Sequence, residues 1–262
     1  MRIALTIAGS DSGGGAGIQA DLKTFQRFRV FGTSAITAIT AQNTRGVSSW
    51  DAVSPAMVRA QIDAVAQDLF PGAFKSGMLA NAGIASAVAA AIRDHSLQNY
   101  VLDPVMVATS GDVLLEPDAI DIIRRELVPR AALVTPNIHE AAILTGKEID
   151  DEDSMSEAAE ALVNDMGAQA ALIKGGHLAS GNRVVDVLYD GDVRTFRGQR
   201  IETTNTHGTG CTLSAAITAQ LANGESLHAA VRRAIDYVHS AIATAPGLGS
   251  GHGPLNHLAE DN

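Results

Sequence analysis

The segment Thr206-His207-Gly208-Thr209-Gly210-Cys211-Thr212-Leu213 carries the sharpest chemical signal in the chain. A Gly-Thr-Gly run opening a helix aims successive backbone N–H groups at one point, where the helix dipole also favours negative charge. That geometry suits the charge spread over a phosphoryl group in transfer. Cys211 is open to two readings. It is a small buried hydrophobe, the ordinary fate of a lone cysteine, or a thiol whose pKa is lowered by the helix N-terminus. A second glycine-rich stretch, Gly9-Ser10-Asp11-Ser12-Gly13-Gly14-Gly15-Ala16-Gly17, either lets backbone approach a flat ligand closely or is a flexible turn. It matches neither the dinucleotide fingerprint nor a P-loop, since no Gly falls three after Gly15 and no Gly-Lys-Ser/Thr follows.

Three further groups could meet a phosphate or a metal. Asn137 and Glu140 sit three apart at the start of a helix. They share one face, where they could hold a hydrated Mg²⁺, but the same spacing is a capping box. Asp103 ends a strand, and either meets a cation there or caps the next turn. Lys174, heading Lys174-Gly175-Gly176-His177, is either a mobile cation for phosphates or a solvated surface residue. None of the eight histidines pairs as HxxxH, so no zinc site is expected.

Short apolar runs alternate with helical periodicity and must position these groups. Ile3–Ala8, Thr33–Thr40, Ala73–Ser76, Tyr100–Val105, Ala131–Thr135 and Ala170–Lys174 read as strands, mostly continuously apolar, as in a parallel sheet covered on both faces. Ser54-Pro55 caps a helix with Val58, Ile62, Val65 and Leu69 on one stripe. Ser154 and Glu157 suggest a capping box for a helix to about Met166. Thr209–Ala222 and Leu227–Thr244 read as helices, and Arg183–Tyr189 with Asp192–Arg197 as a hairpin turning at Asp190-Gly191. The pattern implies one doubly wound α/β domain over residues 1–262, with an irregular tail at 246–262.

The chain has 262 residues, of which 46% are hydrophobic, enough for a substantial core. Nineteen Lys and Arg against 29 Asp and Glu leave a formal charge of −10, which argues against nucleic acid or an anionic membrane as partner. Phosphates must then be bound locally. The single cysteine rules out an internal disulfide and favours a reducing compartment. Met1 to Ile7 is too short for a signal h-region, and no apolar run reaches membrane-spanning length. A cytoplasmic protein is expected.

Taken in order, the block Ala8–Asp21, Ala41-Gln42-Asn43-Thr44, Lys75–Leu79, Leu102–Met106, Thr135-Pro136-Asn137 with Glu140, Lys174–His177 and Asn205–Leu213 resemble the bacterial hydroxymethylpyrimidine/phosphomethylpyrimidine kinases of thiamin biosynthesis, in the ribokinase-like superfamily. The resemblance implies a three-layer α/β/α sandwich with a mostly parallel central sheet, usually a homodimer. It implies two reactions in one site: ATP phosphorylates 4-amino-5-hydroxymethyl-2-methylpyrimidine, then its monophosphate. By motif, Gln42 would read the aminopyrimidine edge, with Gly9, Ala16, Met78 and Val105 lining the ring pocket and Asp21 counted among the substrate residues. Asp103 and Glu140 would position Mg²⁺, while Lys174 and Asn137 would meet the nucleotide phosphates. Gly208, Thr209 and Gly210 would form the anion hole, with Cys211 beside the acceptor hydroxyl where sugar kinases carry Asp. A fused thiamin-phosphate synthase domain is not expected. The rivals are a pyridoxal or pyridoxine kinase of the same superfamily and a catalytically silent ligand-binding relative.

Overall fold

The computed structural model describes residues 1–106, 115–176 and 182–260; His177 and the last two residues of the tail lie outside them. Strands β1 (Ile3–Ala8), β2 (Phe31–Ile36), β5 (Ala73–Ser76), β6 (Tyr100–Leu102), β7 (Leu133–Val134) and β8 (Ala171–Lys174) form the parallel part of the sheet. The hairpin β9 (Arg183–Tyr189) and β10 (Val193–Gln199) adds antiparallel strands at one edge, giving the order β10-β9-β8-β7-β6-β5-β1-β2. Asp190-Gly191 makes the turn, with Gly191 at φ +107°.

Successive residues of each parallel strand feed opposite cores. Leu5, Ile7, Phe74, Leu102, Val134 and Ile173 point to one face. That face is covered by α2 (Pro55–Asp68), α3 (Ala82–His95), α4 (Pro117–Ile122), α5 (Ile138–Thr145) and α6 (Glu152–Asn164). Ala4, Ala73, Val101, Leu133 and Leu172 point to the other, under α1 (Gly17–Arg27), α7 (Thr209–Ala222) and α8 (Leu227–Ala243). Two-sided burial is why these strands read as unbroken apolar runs. The layers are those expected of a three-layer sandwich.

Several boundaries differ from the sequence reading. Thr33–Thr40 is not one strand. The chain leaves the main sheet at Thr37, whose N–H reaches Ala8 O and whose hydroxyl donates to Met78 O. It then continues as β3 (Ala38–Asn43), paired antiparallel with β4 (Gly46–Ala52) as a separate flap. β-Branched residues continue across the break, so composition gave no sign of it. Tyr100–Val105 shortens to three residues because Asp103-Pro104 turns away, and Ala131–Thr135 keeps only Leu133 and Val134 in the ladder. Helix α6 is capped not by Ser154 but by Asp151. Its carboxylate accepts from Ser154 N while Ser154 Oγ accepts from Asp151 N, so Ser154 is the third residue of the box. Leu69 ends α2 as its C-cap, 37% exposed, instead of extending the buried stripe.

The tail is irregular but not loose. His252 N and Gly251 N donate to Thr44 at the tip of the β3–β4 flap, His207 N donates to Gly253 O, and Asn256 N donates to Ala241 O. It straps the flap to the start of α7.

At the centre of the fold Lys75, on β5, is fully buried against Asp21 of α1, Nζ to Oδ1 2.8 Å. Thr6 of β1 donates to the other Asp21 oxygen at 2.6 Å, and Lys75 Nζ reaches Cys211 O of α7 at 3.5 Å. Removing one member of a buried pair strands the other's charge. Lys75→Met should therefore lower unfolding stability by about 3–5 kcal/mol in urea titration, and Asp21→Asn added to it should restore part of that loss.

Candidate active site

The site lies where the carboxyl ends of the parallel strands meet the start of α7, as expected for a doubly wound sheet. A cavity of about 840 Å³ runs from the β3–β4 flap to the groove between β10 and α8. At its floor Lys174, leaving β8, sets Nζ 3.1 Å from Asp103 Oδ1 and 4.0 Å from Glu140 Oε2. Ser214 Oγ of α7 donates to Asp103 Oδ2 at 3.1 Å. Burial opposes charge on all three groups, and their mutual attraction decides the outcome. Lys174 is held above its ordinary range by Asp103 and Glu140. Asp103 is held below its range, since Lys174 and Lys75 outweigh its burial. At Glu140 burial wins over the pull of Lys174, and with repulsion from Asp103 the carboxyl is pushed up to about 7.

Asn137 and Glu140 do form the capping box: Asn137 Oδ1 accepts from Glu140 N, and Glu140 Oε2 accepts from Asn137 N at 2.8 Å. Glu140 is nevertheless 6% exposed, beside Asp103 and short of positive charge. A second cation in this corner would relieve that shortage. Among the described residues no three His, Cys, Asp or Glu cluster as a metal cage. Two carboxylates facing an anion site are what Mg²⁺ commonly uses, the remaining ligands being phosphates and water. The residues present fit that ion.

Helix α7 begins at Gly208, in the left-handed conformation at φ +82°, with no side chain capping it. Its first helical bond runs from Thr212 N to Gly208 O, so Gly210 and Cys211 precede the ladder and their N–H groups edge the cavity. A Cβ at Gly208 would meet Gly15 O at 1.9 Å, and one at Gly210 would meet Lys174 Nζ at 3.2 Å. Glycine is required at Gly208 for the two loops to close this near, and at Gly210 a side chain would press on the end of Lys174.

Cys211 corrects one expectation. The helix N-terminus does not yield a thiolate: burial pushes the thiol up to about 12, opposed by Lys75 and reinforced by Asp21 and Asp103. The side chain faces the cavity but is protonated at neutral pH.

At the other end Gly9, Ala16, Gln42, Met78 and Val105 line the cavity. A Cβ on Gly9 would lie 2.9 Å from Met78 Sδ, so Gly9 and Met78 together set the width of the slot. Of the remaining expected residues, Asp103, Asn137, Glu140, Lys174, Gly208, Thr209, Gly210 and Cys211 all line the same cavity. Asp21 does not. It lies under the floor, committed to Lys75 and Thr6, so it supports the site without touching a ligand there.

The sequence reading passed over Lys75, Asp11 and His207. A lysine inside the strand Ala73–Ser76 was itself a signal, because a buried ammonium requires a buried counter-charge. Asp11 two residues before Gly13 is an Asx-turn pattern, and its Oδ1 indeed accepts from Gly13 N at 2.7 Å. Oδ2 takes Gly15 N, Ala16 N and His207 Nε2. Burial raises the Asp11 carboxyl, but these bonds, His207 first, bring it below its ordinary value.

Fold and cavity together define a small-molecule kinase of the ribokinase-like class. A hydroxymethylpyrimidine/phosphomethylpyrimidine kinase of Rhizobium meliloti is 55% identical over 261 residues, 98% of this chain and 97% of the relative. Among solved structures, a Bacillus subtilis pyridoxal kinase with ADP has a TM-score of 0.90 at 39% identity, covering 99% of this chain and 98% of that one. A phosphomethylpyrimidine kinase from Clostridium difficile has a TM-score of 0.82 at 40% identity, over 92% of this chain and 100% of that one. The phosphomethylpyrimidine kinase family matches residues 11–256, and the chain belongs to it.

The protonated thiol has a direct consequence. Alkylation of Cys211, the chain's one cysteine, should keep accelerating well past the ordinary thiol pKa of about 8.5 instead of levelling there. In the same vein Cys211→Ala, which removes no base, should lower kcat by less than about tenfold, with nucleotide affinity unchanged. Rapid-mix alkylation against pH and steady-state kinetics check the two parts.

Proposed function

We propose that the chain transfers the γ-phosphoryl group of ATP to the hydroxymethyl group of 4-amino-5-hydroxymethyl-2-methylpyrimidine and then phosphorylates the monophosphate, as a kinase of thiamin biosynthesis. One observation carries this reading. The uncapped start of α7, with Lys174 and Asp103 beside it, faces the same cavity as Gln42 and the narrow slot at Gly9 and Met78.

In this reading the ring lies in the slot and Gln42 pairs with it, since a carboxamide offers an acceptor beside donors, matching an amino group next to a ring nitrogen. The hydroxymethyl group then points toward Cys211 and the N–H groups of α7. Those dipoles and the Lys174 ammonium stabilise the phosphoryl group in transit, a loose species that needs positioning and charge far more than covalent help. A neutral thiol is consistent with this, because in so loose a transfer the acceptor oxygen sheds its proton late, to an oxygen of the transferred phosphoryl group or to water. Mg²⁺, when bound by Asp103 and Glu140, would supply further charge neutralisation at the phosphates. The nucleotide base takes the groove formed by Phe196, Ile235, Val238 and Ile242. The protein working as a homodimer is part of the proposal.

Pyridoxal is the competing acceptor, favoured by the likeness to the pyridoxal kinase of Bacillus subtilis. A coupled ADP-release assay across hydroxymethylpyrimidine, its monophosphate, pyridoxal and ribose should show the first two turned over with the highest kcat/KM. Pyridoxal outrunning both would overturn the assignment. Gln42→Leu should lose at least tenfold more kcat/KM on the aminopyrimidine than on pyridoxal, about the value of an unpaired buried amide. Equal losses would remove Gln42 as the reader of the ring. Glu140→Gln should raise the Mg²⁺ concentration for half-maximal rate roughly tenfold while the thermal midpoint stays near wild type. Unchanged metal dependence would leave Glu140 as a helix cap alone.

A further inference from the structure

Three segments distant in sequence meet at His207. Its ring Nε2 lies 2.8 Å from Asp11 Oδ2, its backbone N–H donates to Gly253 O of the tail strap, and its Nε2 lies 3.5 Å from Gln42 Nε2. The ring packs where a Cβ on Gly15 would sit, 2.6 Å from His207 Cδ2 and 3.0 Å from Pro254 Cβ. His207 is 7% exposed and held from every side.

Donor counting fixes its proton. Asp11 receives three backbone donors, Gly13 N on Oδ1 and Gly15 N and Ala16 N on Oδ2, and His207 Nε2 lies against the same Oδ2. A carboxylate so engaged is an acceptor only, so the imidazole nitrogen facing it carries the hydrogen. That nitrogen cannot also accept from an amide N–H. The carboxamide atom nearest it is therefore the oxygen: the Nε2 hydrogen is given to Asp11, and what turns Gln42 is the unfavourable approach of an amide N–H to an N–H, not a second hydrogen bond. The turn satisfies the other end as well. Thr40 Oγ1 gives its own hydrogen to Ser10 O at 2.8 Å and so offers a lone pair to the Gln42 amide, 3.3 Å away.

We propose that the Asp11–His207 pair is a positioning element that locks the carboxamide of Gln42 in one of its two orientations, and so selects which edge of the heterocycle is read. Resting on the reading of Gln42 given above, this extends it. Either orientation shows the ring a donor beside an acceptor, but in opposite order. An aminopyrimidine whose amino group lies between a ring nitrogen and the hydroxymethyl carbon matches one order only. The lock sets the direction in which the ring enters and hence whether the hydroxymethyl group meets the start of α7. Asp11 and His207 touch neither reacting atom in this scheme.

The test uses calorimetric affinities of two rings, 4-amino-5-hydroxymethyl-2-methylpyrimidine and the same ring without the amino group. Wild type should prefer the amino compound. His207→Phe keeps a ring on Gly15 and Pro254 but removes the N–H. It should cut that preference about tenfold while binding of the desamino ring stays within about twofold. In a Gln42→Leu background the same change should have no further effect. Weakening of both rings alike, or a full additional loss in the Gln42→Leu background, overturns the lock and leaves the Gln42 reading standing. An undiminished preference in Gln42→Leu alone overturns the Gln42 reading itself. A ¹⁵N spectrum of wild-type imidazole nitrogens is independent of any variant's folding. It should show His207 Nε2 protonated, and an unprotonated Nε2 refutes the proposal.

Discussion

The buried contact of Lys75 with Asp21 is the constraint on which the site depends. An ammonium and a carboxylate with no exposed surface are costly to dehydrate, and such a pair adds little net stability. Its effect is positional. Asp21 belongs to the helix after the first loop, Lys75 to the strand before Met78, and the carbonyl touched by Lys75 to the first turn of α7. These segments cannot drift apart without leaving a charge unpaired, so the glycine loop, the slot and the anion site keep one geometry. Lys75 also places positive charge beneath Cys211 and Asp103, and holds the Asp103 carboxyl low without occupying the cavity.

Above that pair the loops approach by surrendering side chains. A Cβ would force backbone outward at Gly208, against Gly15 O, and a ring outward at Gly15, against His207, while at Gly210 and Gly9 it would displace the ends of Lys174 and Met78. The glycine-rich first loop is therefore spent on close approach. It is a surface on which the ring slot, His207 and the start of α7 close together.

Much of this was legible in the sequence where a local rule coincides with the global fold. Two-sided apolar runs gave the parallel sheet, and Gly-Thr-Gly before an apolar run gave the uncapped start of α7. Legibility failed where tertiary contacts decide. The end of β2 at Thr37 depends on hydrogen bonds to Ala8 and Met78, which no pattern within Thr33–Thr40 encodes. The tail reads as irregular because its order comes from Thr44, His207 and Ala241, not from its own periodicity. Cys211 is the clearest case. Its helix position argues for a low pKa, and the burial that reverses the argument is invisible in one dimension. Asp21 was placed in the pocket on the strength of its motif, whereas its neighbour Lys75 draws it under the floor.

A chain of charge −10 that uses ATP has few cations to offer a polyphosphate, and the proposed site has to work with little net positive charge. Lys75 is matched by Asp21, and Lys174 by Asp103 and Glu140, so neither lysine presents a bare charge to the cavity. Beside Lys174 the N–H dipoles at the start of α7 add positive potential, fixed in direction and needing no reorganisation when an anion arrives. The neighbouring carboxylates then act against the ligand unless another cation comes with it. Glu140, driven toward neutrality by burial beside Asp103, is the carboxyl that a neighbouring cation would let ionise. On this reasoning the site discriminates by charge state. An anion arriving alone meets two carboxylates, whereas one that brings a divalent cation relieves them.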